Sequence, residues 1–108
     1  MLKFVKIGQQ TPPKRKVDNR KQDFNEIYNE FITQKAQEQS SRCSQCGVPF
    51  CQVHCPLSNN IPDWLKLTAE GRLKEAYELS QSTNNMPEVC GRICPQDRLC
   101  EGNCVIEQ

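Results

Sequence analysis

Two tight rows of cysteines constrain this chain more than any other feature of its sequence. The first row has the spacing C-x2-C-x4-C-x3-C-P and contains Cys43, Cys46, Cys51 and Cys55. The second row has the spacing C-x3-C-P-x4-C-x3-C and contains Cys90, Cys94, Cys100 and Cys104. A chain of 108 residues, of which 36% are hydrophobic, buries only a modest core, so a covalent or metal staple is expected to stabilise it.

The staple could be a set of disulfides or a metal, and the N-terminus helps to choose between them. The first residues, MLKFVKIGQQ, contain neither a long apolar region nor a small-residue cleavage site, so they do not resemble a secretory signal. No apolar run approaches the roughly 20 residues that span a bilayer. We therefore expect a cytoplasmic protein without membrane attachment, in which thiols stay reduced and metal binding is favoured over disulfides.

The charges divide the chain into a basic arm and an acidic body. Residues 1–22 carry seven basic side chains and one acidic side chain, whereas the remainder has a net charge of −5. Thr11-Pro12-Pro13 and the lack of a sustained period predict an extended arm, with a short strand over Leu2–Ile7. The arm is either a solvated tail or a strap that docks on an acidic face of a partner or neighbouring domain. Nucleic-acid binding is not expected, because the arm has one aromatic residue, Phe4, and no recognisable reading module.

Residues 23–108 are predicted to form one all-helical domain. Asp23 and Glu26 resemble a capping box ahead of apolar residues at helical spacing, which are Phe24, Ile27, Tyr28, Phe31 and Ile32. Thr33 is predicted to cap a further helix whose end delivers Cys43.

Two more helices are predicted between the cysteine rows, packed as a hairpin. Asn60 can cap the first of them, with Pro62 in its first turn, and Gly71 suits its end. The second helix runs to about Gln81. Within the second row, Pro87 is predicted to start a short helix that carries Cys90, and Asp97 to cap another that carries Cys100.

The row spacing favours iron–sulfur clusters over a single metal ion. Bacterial two-cluster ferredoxins use three close cysteines for one cluster and a fourth, followed by proline, for the other cluster. By this rule Cys55, which is followed by proline, ligates the second cluster, to which the second row supplies Cys94 and Cys100. The first cluster then takes the remaining close set, Cys43, Cys46 and Cys51, and is closed by Cys104.

A structural zinc site and a cysteine nucleophile are the alternatives to the clusters. Structural zinc sites also use C-x2-C, but they pair it with another short knuckle or with histidines, and the later gaps here are longer. A cysteine nucleophile would need the single histidine, His54, as its base, and no acid adjoins it to orient it. The chain also lacks a G-x-G-x-x-G loop, so it is not expected to bind a dinucleotide in the usual way.

The motifs CGVPFC, CPLSNNIPD and CGRICPQDRLCEGNC resemble the N-terminal cluster-binding region of bacterial NADPH-dependent glutamate synthase small (beta) subunits. The likeness extends back through DFNEIY and PPKR, so it covers nearly the whole chain. The wider family, with a helical ferredoxin-like fold that holds two [4Fe-4S] clusters, includes dihydropyrimidine dehydrogenase and other NAD(P)H:flavin oxidoreductase subunits.

This resemblance implies an electron relay within a longer flavoprotein, of which the chain would be a fragment without catalytic activity of its own. In the family, electrons pass from NADPH through FAD and the two clusters to FMN in the large subunit, where L-glutamate is made. The FAD- and NADPH-binding domain of the same subunit and the glutamate synthase large subunit are the implied partners. Another flavin oxidoreductase, or a structural zinc and interaction module, remains the alternative.

The resemblance also bears on the ligands. It supports the first set of four thiols and gives Cys55, Cys94 and Cys100 to the second cluster. It implies that the last ligand of the second cluster is a carboxylate or amide side chain beyond Gln108. Cys90 is then either a substitute ligand or a buried structural thiol, and in the fragment the second cluster could be lost.

Overall fold

Short helices joined by turns make up the protein, whose computed structural model describes residues 1–107. The helices are α1 (Val17–Arg20), α2 (Thr33–Ser40), α3 (Phe50–Val53), α4 (Ile61–Ala69), α5 (Leu73–Gln81) and α6 (Pro87–Ile93). Single turns of 3-10 helix cover Lys3–Val5 and Gln96–Arg98. Residues 1–107 form no β-strand, and one isolated antiparallel bridge pairs Lys14 with Tyr28. The all-helical fold class is therefore confirmed.

Helix α4 is the centre of the packing, because it contacts α2, α3 and α5. It starts after Asn60 with Pro62 in its first turn, as predicted, but the Asn60 side chain makes no capping hydrogen bond and accepts instead from Gln52 Nε2. It ends in a Schellman arrangement, in which Gly71 N–H donates to Thr68 O and Arg72 N–H donates to Leu67 O. Gly71 has φ 78°, and a Cβ there would lie 2.8 Å from Nε2 of Gln37 on α2. Glycine at this position thus lets the turn of the α4–α5 hairpin approach α2 closely.

The basic arm lies against the body instead of forming a free tail. Residues Lys3–Val5 form a 3-10 turn, so the predicted strand over Leu2–Ile7 is wrong. Lys3 N–H donates to Ser41 O, and Arg42 Nε donates to Ile7 O. These contacts use the backbone of the arm, so its lysine side chains remain exposed. The arm is therefore a strap, and it docks on its own chain through backbone hydrogen bonds and through the ion pair between Arg15 and Asp23.

The predicted helix after Asp23 is absent, and this segment pairs with the arm. Arg15 N–H donates to Ile27 O, and Asn29 N–H donates to Pro13 O. The Asp23 carboxylate accepts two hydrogen bonds from the Arg15 guanidinium, at 2.6 and 2.9 Å. Asp23 of the predicted capping box thus anchors an extended pairing, because the arm offers a partner that local spacing does not reveal, whereas the Glu26 carboxylate hydrogen-bonds to Arg92.

Two smaller helix-cap predictions are also corrected. Thr33 is the first residue of α2 and makes no capping hydrogen bond, since Ile32 occupies the cap position. Asp97 lies inside the 3-10 turn of residues 96–98, and the backbone that follows it consists of turns. Cys100 is therefore carried by a turn and not by the predicted helix.

The hydrophobic core is thin. Among residues 1–107, full burial is limited to Ser40, Ser41, Pro62 and Ala76. Large apolar side chains such as Phe24 and Ile93 are exposed. A body with so thin a core takes much of its stability from other interactions, and metal binding by the two cysteine rows is the expected source. None of the helices within residues 1–107 has the length and apolar character needed to cross a membrane.

Candidate metal centre

All eight cysteines are free thiols, and the structure gathers them into two neighbouring groups. Nearby thiols raise one another's pKa: Cys104 and Cys43 raise that of Cys51, and Cys90 and Cys55 raise that of Cys94. Cys100 is near both groups, since it raises the pKa of Cys51 and its own is raised by Cys55. The first site, as we call it here, consists of Cys43, Cys46, Cys51 and Cys104. The second site consists of Cys55, Cys90, Cys94 and Cys100. The ligand sets expected from the sequence are Cys43, Cys46, Cys51 and Cys104 for one cluster and Cys55, Cys94 and Cys100 for the other, and they remain predictions.

The first site is assembled by the ends of short elements. Cys43 follows α2, where its N–H donates to Ser40 O, and Cys51 lies within α3. Cys46 lies in the loop between these helices, and Cys104 lies in the last turns of the chain, where its N–H donates to Glu101 O. Helix α3 was not predicted from the sequence. It matters because it fixes Cys51 with respect to the rest of the first row.

Burial dominates the electrostatics of these thiols. It raises the pKa of Cys51 to about 11, and the nearby Cys104, Cys43 and Cys100 thiols add smaller increases. Burial also raises the pKa of Cys104, with further contributions from Glu107, Cys43 and Cys46. Thiols with a raised pKa stay neutral when no cation is near them. Binding of iron would therefore have to displace their protons, as metal binding to cysteine generally does.

The arm and the last turns close the first site from outside. Leu2 N–H donates to Cys43 O at 3.0 Å, and Gln9 hydrogen-bonds to the side chain of Glu101. Arg42 donates to Ile7 O and lies 3.7 Å from the Glu107 carboxylate, with 14% of its side chain exposed. One guanidinium thus links the arm, the first row and the end of the described chain.

The second site opens into a cavity of about 700 Å³ between α6 and the α4–α5 hairpin. Its thiols are Cys55, Cys90, Cys94 and Cys100, and apolar side chains such as Trp64 and Tyr77 form the opposite wall. Asn59 holds this wall in place, since it accepts from Trp64 Nε1 at 3.0 Å and donates to Ser80 O at 3.4 Å. Burial raises the pKa of Cys94 and Cys100, and thiol neighbours raise each further.

The donor set fits an iron–sulfur cluster better than it fits a single ion. Residues 1–107 contain no group of three or more Cys, His, Asp or Glu side chains placed to hold one metal ion. The four ligands of a zinc ion all lie about 2.3 Å or less from one point, whereas a [4Fe-4S] cluster binds thiolates on four different iron atoms. Free thiols in rows whose later gaps are longer than those of a zinc knuckle favour the cluster and give the zinc alternative no support. His54 is exposed at the end of α3, so its position does not support a cysteine–histidine nucleophile.

Sequence reasoning missed the side chains that contact the sulfur atoms. Gln45 donates to Cys43 Sγ from its backbone N–H at 3.5 Å and from Nε2 at 3.4 Å. Ser44 Oγ lies 3.0 Å from Cys46 Sγ. The signal that could have found them is the polar character of both residues between Cys43 and Cys46, since short turns at thiolates offer donors to sulfur.

Comparison with known proteins supports the iron–sulfur interpretation. Residues 20–108 match the family model described as dihydropyrimidine dehydrogenase domain II, 4Fe-4S cluster. This chain belongs to that family. Members of a 4Fe-4S cluster family are expected to bind iron through cysteine thiolates, and the free, grouped thiols fit that cofactor.

Several relatives of this chain carry the name glutamate synthase [NADPH] small chain. The protein from Azospirillum brasilense is 73% identical over 108 residues, which is 100% of this chain and 22% of the relative. The protein from Escherichia coli (strain K12) is 52% identical over 106 residues, which is 98% of this chain and 22% of the relative. The protein from Bacillus subtilis (strain 168) is 38% identical over 112 residues, covering 95% of this chain and 22% of the relative. The chain therefore spans about a fifth of the length of these relatives.

Proposed function

We propose that this chain is the electron-relay domain of an NADPH-dependent glutamate synthase small subunit. The relay would carry electrons from NADPH-reduced FAD to FMN in the large subunit, for synthesis of L-glutamate from glutamine and 2-oxoglutarate. The observation that carries the proposal is 73% identity along the whole chain to such a small chain, in a structure that gathers eight free thiols into two groups. The proposed setting is the cytoplasm, and the proposed partners are the FAD- and NADPH-binding part of the same subunit and the large subunit.

The proposed ligands are Cys43, Cys46, Cys51 and Cys104 for one cluster, and Cys55, Cys94 and Cys100 for the other. Two [4Fe-4S] clusters bound there would supply one-electron transfer. The chain's own residues hold the thiols at the ends of α2, α3 and α6, and limit the access of water with the arm and the α4–α5 hairpin. Hydrogen bonds to the sulfur ligands and the exclusion of water tune the reduction potential of a cluster.

Cys90 is the one thiol with two proposed roles. It lines the cavity of the second site beside Cys94, so its position suits a ligand. The family resemblance implies instead a side chain beyond Gln108. Iron analysis of Cys90→Ala in the small subunit that continues beyond Gln108 separates the two roles, because loss of about half the iron identifies a ligand and retention of all of it identifies a structural thiol.

The test of the proposal is anaerobic reconstitution of the chain with iron and sulfide. We expect about four iron and four sulfide per chain from the first site, about eight of each where Cys90 completes the second site, and a reduced form with the electron paramagnetic resonance (EPR) signals of [4Fe-4S] clusters. Reconstituted chain joined to the downstream part of the small subunit and mixed with the large subunit should restore electron transfer from NADPH to glutamate synthesis. A colourless, redox-silent protein with stoichiometric zinc would overturn the proposal.

The matched family description favours one second candidate. Because it names dihydropyrimidine dehydrogenase, the same domain could serve a different flavin oxidoreductase. Both candidates predict the same iron and sulfide content. They differ in the substrate reduced once the downstream flavin-binding part is present, so the substrate assay decides between them.

A further inference from the structure

Gln45 occupies an unusual backbone position between the first two thiols of the first row. Its φ is 53°, which lies in the left-handed region that non-glycine residues rarely adopt. A residue held there needs compensating contacts, because the conformation is unfavourable for L-amino acids. The contacts of Gln45 therefore indicate the role of this turn.

The contacts of Gln45 converge on a sulfur atom. The left-handed turn aims both its backbone N–H and its side-chain Nε2 at Cys43 Sγ, at 3.5 and 3.4 Å. Nε2 also donates to the carbonyl oxygen of Pro62 at 2.7 Å. Pro62 is buried in the first turn of α4, the helix at the centre of the packing. One amide group thus fastens the Cys43 sulfur to the most firmly packed part of the domain.

Donors aimed at a thiolate affect its redox chemistry in a defined direction. Reduction of a cluster adds negative charge, part of which resides on the sulfur ligands, and N–H donors stabilise the more negative state. Two donors on one sulfur should therefore make reduction easier. The nearby Gln52 offers a natural comparison, since its side-chain Nε2 donates to Asn60 Oδ1 and to Ser58 O and not to a sulfur.

We propose that Gln45 is a positioning residue that fixes the Cys43 sulfur against α4 and raises the reduction potential of the cluster at the first site. The inference rests on the proposed function, because it requires a cluster at that site. It adds a role for a residue that is not itself a ligand. Of its two contacts, the bond to Pro62 O sets the position and the bonds to Cys43 Sγ set the potential.

Gln45→Met is the variant that tests the effect on potential. Methionine has similar length but no N–H in its side chain, so one of the two donors to sulfur is lost while the backbone donor remains. Gln45→Asn is the second variant, because asparagine tolerates positive φ but is one methylene shorter and does not span from the sulfur to Pro62. Gln52→Met is the matched control in the same row, and it retains the backbone N–H that contacts Cys51.

The measurement is a redox titration of the reconstituted chain followed by EPR, with iron content determined on the same samples. In Gln45→Met we expect the reduction equilibrium constant of the first site to fall about three- to tenfold, as the loss of one hydrogen bond of ordinary net strength implies. For a one-electron step this is a shift of about 30 to 60 mV to more negative potential. The second site and the Gln52→Met control should keep the wild-type potentials.

The outcomes distinguish this inference from the proposed function. Wild-type chain that takes up no iron and sulfide overturns both. Fully loaded Gln45→Met with the wild-type potential overturns the role in tuning and leaves the proposed function intact. If Gln45→Met loses its iron while Gln52→Met stays loaded, the positioning role is supported, and the titration of Gln45→Asn decides the effect on potential.

Discussion

The backbone N–H of Leu2 donates to the carbonyl oxygen of Cys43 across 3.0 Å, which fixes the second residue of the chain to the first thiol of the first row. Leu2 adopts φ 64° to do so, and its side chain is 59% exposed. The contact therefore depends on the backbone of the arm and hardly at all on the leucine side chain.

Substitutions at Leu2 should therefore affect stability through the backbone conformation and the N–H group, and not through the side chain. Leu2→Gly should change the free energy of unfolding by less than about 1 kcal/mol, because the relief of left-handed strain offsets the greater freedom of the unfolded chain. Leu2→Pro should loosen the arm, because proline fixes φ near −65° and has no N–H. Hydrogen exchange at the Lys3 amide, which donates to Ser41 O, is the measurement. Unchanged Lys3 protection in Leu2→Pro would mean that the arm is held without this contact.

Replacing Cys46 by serine should remove the first cluster and destabilise the domain. A hydroxyl is a poor substitute for a thiolate on iron, and ligand binding is linked to folding in so thin a core. We expect loss of about half the iron and a clearly lower thermal midpoint. His54→Ala is the control, since His54 is exposed within the same row. Full iron content and unchanged stability in Cys46→Ser would refute the assignment of this thiol.

The ion pair between Arg15 and Asp23 predicts a pH dependence with a defined sign. The Arg15 hydrogen bond, followed by the Asn25 N–H, lowers the pKa of Asp23 from 3.8 to about 2. A carboxyl with a depressed pKa adds stability that is present above about pH 4 and is lost as the pH falls toward 2. The difference in protection of the Arg15 amide between wild type and Asp23→Asn should therefore be constant from neutral pH to about 4 and shrink below it. A difference that already shrinks near pH 6 would assign the effect to another group.

Gly102 should tolerate alanine far less well than Gly91. A Cβ at Gly102 would lie 1.8 Å from Asp97 O and 2.6 Å from Asp97 C, so the turn that carries Cys100 would have to move. We expect Gly102→Ala to cost about 2 to 3 kcal/mol in the free energy of unfolding and to weaken iron loading of the second site. In Gly91→Ala, where nothing lies within 4 Å of the new Cβ, helix α6 should gain about 0.5 to 1 kcal/mol. Chemical denaturation of the loaded proteins compares the two, and equal effects would contradict the close approach.

The α4–α5 hairpin was predictable because its signals are local. Pro62 suits a first turn, and Gly71 supplies the positive φ at the end, so both helix limits can be identified without knowing the rest of the chain. The segment after Asp23 was not predictable in this way. Its apolar residues do repeat at helical spacing, but backbone pairing with the arm, at Arg15 and Asn29, decides its conformation. Spacing within a segment contains no information about a partner some 12 to 16 residues away.

The sequence predicts two sets of thiols, but it does not reveal the contacts around them. Proline after Cys55 predicts that this thiol crosses to the second site, because the spacing of a ligand row reflects how the backbone encloses a cluster. The role of Gln45 depends on one left-handed turn that aims its amide at Cys43. Nothing in the sequence specifies that turn, since glutamine does not ordinarily adopt it.

The docking of the arm on Cys43 also sets an order for biosynthesis. In the proposed ligand set the first site takes one thiol from residue 104 and is covered by residue 2, so a long interval of translation separates the synthesis of its parts. For most of that time the three thiols of the first row have no fourth companion. Delivery of iron and sulfide must therefore wait until nearly all of these 108 residues have been made, and until then the emerging chain depends on a reducing environment to protect its sulfurs.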